Sequence, residues 1–363
     1  MYHQLERDSA RDMTPGAGNE TWASGLRPLE LLHPPRDRMR SGGNIYNSKL
    51  VETAATLGLP LSSRVARADE VEAHLFKQSI SFRIWDSLFL DALAACDIGA
   101  ARNWGLLLHY LPSTNPTLGR AERMRMGAVE ARVIPLAERV VVTGRRLKTH
   151  VDEMRPRLPV YVCEPGVSEP FLVKPDRNRS AASGTVALLT VANFRPGKGM
   201  LEVLAALAQL ERIPWRWHVA GDRTCDAVYT RRFDAEARRL GVQNRIVHYG
   251  SLDHGAIVDL MDDVDLFVSG SRYEAYGMAL AEAAARCLPA VSTDVGAAAD
   301  LYRHGTTGLL ANVRDARAFR MHLERLMTDR ALRGRFRDNL RRYKPRTWLD
   351  TASDLAVAMP AIG

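Results

Sequence analysis

At 363 residues the chain exceeds the size at which a single hydrophobic core stops growing, so two domains are expected. A composition of 46% hydrophobic and 25% charged residues excludes wholesale disorder, and no apolar run reaches the roughly 18 residues that span a bilayer. The net charge of +8 is concentrated, because residues 314–346 hold twelve Lys and Arg against four Asp and Glu.

The N-terminal stretch "MYHQLERDSARDMTPGAGNETWASG" lacks the basic-then-apolar pattern of a signal peptide, and residues 1–28 read as a flexible tail. "LRPLELLHPP" reads as a strand closed by Pro34 and Pro35. Gly42 and Gly43 then open a helix whose apolar positions Tyr46, Leu50, Ala54 and Leu57 recur at helical spacing. "FRIWDSLFL" and "WGLLLHYLP" follow as strands, with Asp86 and His109 near their C-terminal ends, and "ERVVVTGRRLKTHV" and "PVYVCEPGV" continue the alternation. The stretch "PTLGRAERMRMGAVEARVIPLAERV" is amphipathic and partly basic. It reads as a core-covering segment or as one that touches a membrane.

Polar "KPDRNRSAASG" has the texture of an interdomain linker. Strand, loop and helix then recur through "TVALLTVANF", "RPGKG" and "MLEVLAALAQLE", and on to "ADLYRHGTTGLLA". Such units argue for a parallel sheet covered on both faces, and two of them in tandem place a cleft between the C-terminal ends of two sheets. The expected organisation is a first domain over 29–172, a second over 173–340, and a segment 341–363 that crosses back. The basic stretch "HLERLMTDRALRGRFRDNLRRYKPRTW" reads as surface helices, either a solvated face or one drawn to anionic lipid headgroups. No zinc-finger spacing or RNA-binding aromatic signature accompanies the charge, so no nucleic acid partner is expected. Four widely spaced cysteines, Cys96, Cys163, Cys225 and Cys287, read as reduced thiols of a cytoplasmic protein.

Three loops suit an anion. "ANFRPGKGM" offers Arg195 and Lys198 beside two glycines, while "SRYEAYGM" and "SGGNIY" each lead into a helix N-terminus. G-x-G-x-x-G after the first strand and G-x-x-x-x-G-K-[ST] are both missing, and His218, His248 and His254 fall at no metal-ligand spacing. Glu274 and Glu282 flank Gly277. Glu274 sits in the loop before the helix, Glu282 about two turns further along, and their separation of eight puts the two on nearly the same side of the helix. Glu274 then caps the helix or faces the cleft. Glu282 stands on an almost wholly apolar helix, where a carboxylate needs a polar partner such as a sugar or ribose hydroxyl.

"SRYEAYGMALAEAAARCLPAVSTDVGAAADLYRHGTTGLL" resembles the E-x7-E region of retaining GT-B glycosyltransferases of family 4. "VANFRPGKGMLEVLAALAQL", "WHVAGD", "RIVHYGSL", "SGGNIYNSKL" and "EPGV" fit the same family in order. The resemblance covers roughly residues 29–355 and is strongest in the second half. It implies an α/β, GT-B fold, with two Rossmann-like parallel-sheet domains facing a central cleft. The first domain would take a hydroxyl acceptor (a glycan, glycolipid or small molecule) and the second a nucleotide-diphospho-sugar.

By resemblance, Glu274 contacts the donor sugar, and the backbone of Ala275, Tyr276, Gly277 and Met278 meets sugar and diphosphate. Glu282 holds the ribose hydroxyls and Lys198 neutralises the diphosphate. His109 stands beside the transferred sugar, and Gly42 and Gly43 face the donor phosphates. Relatives place a phosphate-binding arginine five residues before the lysine, where this chain has Asn193, with Arg195 two positions on. The implied reaction is a retaining transfer with no enzymic nucleophile, no cofactor and no metal ion. A sugar-nucleotide epimerase, a phosphorylase and a catalytically silent GT-B partner subunit are the alternatives.

Overall fold

The computed structural model describes residues 26–35, 42–175 and 184–359. The expected tail up to residue 25 and most of the expected linker lie outside them. The first sheet contains β1 (Leu29–His33), β2 (Leu61–Val65), β3 (Phe82–Asp86), β4 (Trp104–Leu108), β5 (Arg139–Val142) and β6 (Val160–Val162). The second contains β7 (Val186–Val191), β8 (Trp215–Ala220), β9 (Ile246–Gly250), β10 (Leu266–Ser269), β11 (Ala290–Thr293) and β12 (Gly308–Ala311). Every strand pairing within these sheets is parallel.

The helices of the first half are α1 (Gly42–Thr56), α2 (Val71–Phe76), α3 (Leu90–Ala95), α4 (Arg120–Val133), α5 (Arg145–Met154) and α6 (Glu169–Leu172). Those of the second half are α7 (Met200–Ala208), α8 (Ala227–Arg239), α9 (His254–Asp263), α10 (Met278–Ala285), α11 (Ala298–Leu301), α12 (Ala316–Thr328), α13 (Arg330–Leu340) and α14 (Trp348–Ala358).

The first sheet runs β2-β1-β3-β4-β5-β6 and the second β12-β11-β10-β7-β8-β9. Both are doubly wound orders, with switch points between β1 and β3 and between β7 and β10. Side chains alternate across the strands. Leu106, Leu108, Val140 and Val142 enter one core of the first domain, while Leu107 and Val141 enter the other with Tyr46 and Leu50 of α1. Leu188 and Leu189 divide in the same way between the two cores of the second domain.

Helix α14 lies on the first domain, where Trp348, Leu355 and Met359 join Leu29, Leu31 and Tyr46. A capping box between Thr347 and Asp350 starts it. The chain segments that cross between the domains touch, since the Val167 N–H donates to the Arg346 carbonyl at 2.8 Å.

Three local readings change. Strand β2, "LSSRV", has four of its five residues exposed, so as an edge strand it carries none of the apolar signal used to find strands. "FRIWDSLFL" is strand only to Asp86, because the Asp86 carboxylate accepts from the Leu88 N–H at 2.9 Å and closes a turn. The amphipathic stretch after His109 holds α4, which buries Met126, Glu130 and Val133. Glu130 accepts from the Ser113 N–H at 2.9 Å and from its hydroxyl.

The basic stretch forms α12 and α13. They bury Phe319, Leu323, Leu326 and Phe336 in the second core, and the buried Arg333 guanidinium donates to the Leu326 and Met327 carbonyls that end α12. No helix of the described residues is long and apolar enough to cross a membrane.

Candidate active site

The carboxyl ends of both sheets face a cavity of about 410 Å³. From the first domain come Gly42 and Gly43 at the start of α1, and His109 just after β4. The loop after β7 supplies Arg195 and Lys198. The loop after β10 supplies Glu274, Ala275, Tyr276 and Gly277, and α10 supplies Met278 and Glu282. All the candidate residues therefore border one space. Thr190, Asn193, Ser269, Ser292 and the Ser251–Leu252 loop border it too; they carry no charge, and of them only Asn193 stood out in the sequence, by its position in the family motif.

Two glycines bring the second-domain loops together. Gly199 has φ +63°, and a Cβ there would lie 1.7 Å from the Gly270 carbonyl oxygen, so the loops after β7 and β10 meet backbone to backbone. The Lys198 ammonium consequently lies 2.7 and 2.9 Å from the two Glu274 oxygens, and the Ser271 hydroxyl donates to Glu274 at 2.8 Å.

Gly277, with φ +108°, is the residue that starts α10. Glu274 is therefore not the helix cap, and the shared-face reading of the two glutamates does not hold. The left-handed turn at Gly277 breaks the helical period between them. The Tyr276 ring packs into the second domain's core, while Ala275 packs against the first domain's core.

Glu282 lies within α10 and keeps some exposed surface toward the cavity. No described group bonds to its carboxylate, and burial pushes it up to about 8. A group bearing hydroxyls could supply the missing partners.

His109 is held by residues that no sequence motif marks. Its Nε2 lies 3.0 Å from Asn47 Oδ1 and 3.2 Å from Asp86 Oδ2, and the Asn47 amide donates to Asp86 at 2.7 Å. Burial raises the Asp86 carboxyl, but the His109 ring, the Leu88 N–H and the Asn47 amide outweigh it and hold the group below its ordinary range. The Tyr46 ring meets His109 edge-on at 5.2 Å and Trp348 at 5.6 Å. Asp86 was visible as a charge ending an apolar strand; Asn47 sits inside a helix and gave no signal.

The two domains touch around the cavity. The Tyr273 hydroxyl bridges to Leu111 and Thr114, and Arg146 pairs with Asp294 at 2.5 Å.

Residues 174–343 match the family model described as "Glycosyl transferases group 1". The glycogen synthase of Mycobacterium tuberculosis is 27% identical over 177 residues, 46% of this chain and 42% of that protein. The N-acetyl-alpha-D-glucosaminyl L-malate synthase of Bacillus anthracis is 26% identical over 148 residues, 40% of this chain and 37% of that protein. The chain thus spans about two-fifths of the length of these curated relatives.

Among solved structures, the sucrose-phosphate synthase of Thermosynechococcus elongatus superposes with TM-score 0.72 at 18% identity, covering 91% of this chain and 97% of that one. HepE of Anabaena, solved in complex with UDP-glucose, gives 0.70 at 16% identity, covering 91% and 98%. These likenesses establish the architecture as GT-B, with two Rossmann-like domains.

Proposed function

We propose that this chain is a retaining glycosyltransferase of family 4 that moves a sugar from a nucleotide-diphospho-sugar to a hydroxyl acceptor. One observation carries the reading: Lys198, Glu274, Glu282 and His109, from both domains, converge on a single cavity at the carboxyl ends of two parallel sheets. The match of the second domain to a glycosyltransferase family model supports it.

In this reading the Glu282 carboxyl takes the ribose hydroxyls. Lys198, Arg195 and the N–H groups at the start of α10 meet the charge that develops as the bond from the anomeric carbon to the diphosphate breaks. The acceptor oxygen bonds to the same face of that carbon, and its proton passes to a phosphate oxygen of the leaving group. Cationic side chains supply the electrostatic stabilisation, so transfer is expected to survive chelation of divalent metal.

A panel of nucleotide sugars, scored by the rise in melting temperature, identifies the donor. Incubation with and without hydroxyl acceptors then separates transfer from epimerisation. The anomeric coupling in the product, followed by proton NMR, tests retention. No stabilisation by any nucleotide or nucleotide sugar would sink the reading.

A further inference from the structure

A second cavity, of about 500 Å³, opens between the domains, lined by Pro116, Arg123, Glu202, Arg272, Val313 and Arg314. Neighbouring chain segments border the two cavities. Lys198 and Glu274 border one cavity, while Glu202 and Arg272 border the other, from the chain segments that follow β7 and β10. These segments are tied together by the Arg272 N–H, which donates to the Gly197 carbonyl at 2.8 Å. The first domain closes the wall, since a Cβ on Gly197 would lie 3.6 Å from the Thr117 methyl.

Among the described residues the guanidinium groups of Arg123, Arg272 and Arg314 make no hydrogen bond or ion pair; Arg123 is half-buried, while Arg272 and Arg314 are exposed to water. The Arg123 Nε is buried with no partner at all. A buried donor left unmade is costly, and three forks from α4, the loop after β10 and the loop after β12 converge on one space. A tetrahedral oxyanion presents enough acceptor oxygens to meet them, and planar guanidinium forks match phosphate geometry. Glu202 opposes one side of the anion and leaves room for a ligand that also carries hydroxyls.

We propose that this interdomain cavity binds a phosphate group of the acceptor, anchoring it beside the Lys198–Glu274 centre. The assignment to the acceptor rests on the transferase reading; the binding of phosphate does not.

The test titrates inorganic phosphate into the full chain by calorimetry, with UDP titrated separately. Replacing Arg123 and Arg314 together by Ala should weaken phosphate at least about tenfold, the loss of one charge-assisted contact or more, while UDP affinity stays within about twofold. Glu202→Gln should tighten phosphate several-fold, a gain that misfolding cannot produce. In transfer assays phosphate also reaches the donor site at Lys198 and Arg195, so the part of its inhibition that the Arg123 and Arg314 replacement relieves is read, and that part should be competitive with the acceptor. Phosphate binding that neither set of variants changes would overturn the site, and inhibition that the Arg123 and Arg314 replacement relieves but that is competitive with the donor would overturn the acceptor assignment. Failure of UDP to bind any form would instead remove the transferase reading and leave the phosphate result standing.

Discussion

The Lys198 ammonium straddles both oxygens of Glu274, at 2.7 and 2.9 Å, although the two residues are 76 positions apart in sequence. They meet because β7 and β10 are neighbours at the switch point of the second sheet. A diphosphate reaching Lys198 must therefore share it with a carboxylate. Lys198→Ala is expected to lower both donor affinity and turnover, the latter on the order of a hundredfold, as for loss of one donor to a developing oxyanion. Lys198→Arg should not restore it, because a planar fork is not a point charge. Glu274→Gln is expected to bind UDP at least as tightly as the wild type while turnover falls. Steady-state kinetics paired with calorimetry separate these effects, and full activity in Lys198→Ala would move the burden to Arg195.

Glu282 gives a pH signature. Its carboxyl, ordinarily near 4.5, is pushed by burial to about 8, so between these values the folded chain holds a proton that the unfolded chain releases. Stability from this group is thus highest below about 4.5, falls as pH rises, and is at its lowest above about 8. Urea unfolding should show the wild type losing stability between pH 5 and 8 relative to Glu282→Gln, by on the order of a few kcal/mol. Nucleotide binding near pH 7 should release protons, because hydroxyl donors favour the ionised form. Calorimetry in buffers of different ionisation enthalpy reads this directly. Glu282→Ala should weaken nucleotide binding by about 1.5–3 kcal/mol, and unchanged affinity in a folded variant would remove the ribose role.

Much of this was legible in the sequence for physical reasons. Strands β10, β11 and β12 of the second domain are buried on both faces along nearly their whole length and read as apolar runs, and glycines mark the loops that must approach closely, as Gly199 does against Gly270. What was hidden depends on partners distant in the chain. Asn47 meets Asp86 and His109 only after β1, β3 and β4 have paired. Glu274 was legible as a loop residue ahead of the helix, but the left-handed φ at Gly277, which breaks the period between the two glutamates, is not revealed by a count of eight residues. The edge strand β2 was invisible because little of it is buried.

Asp86 is a positioning residue, and its removal should act through His109. Asp86→Asn keeps the size but leaves the Asn47 amide and the His109 Nε2 with a neutral partner that can present a donor. The pH profile of turnover is expected to shift and kcat to fall, while the nucleotide dissociation constant stays within about twofold. A loss of stability with an unchanged pH profile would show that Asp86 only packs the sheet end.

Helix α14 supports the cavity from the first domain's core. Trp348 meets Tyr46 edge-on at 5.6 Å, and Tyr46 meets His109 at 5.2 Å, so the helix that returns from the second domain buttresses a cavity residue of the first. The Tyr46 hydroxyl also donates to the Cys163 carbonyl at 2.8 Å, which fixes the ring between its two neighbours. Trp348→Ala removes one side of that support and opens a cavity in the core, at a cost of about 3–5 kcal/mol. Turnover should fall further than donor affinity, because a misplacement of about 1 Å can cost on the order of a hundredfold in rate. Trp348→Phe should recover most of the loss by restoring an edge-on ring. Truncation after Tyr343 removes α14 and bares Leu29, Leu31 and Tyr46, while the Glycosyl transferases group 1 region ends at 343. The truncated chain is therefore expected to retain nucleotide binding and lose transfer. Normal transfer by either Trp348→Ala or the truncated chain would show that the returning helix has no part in setting His109.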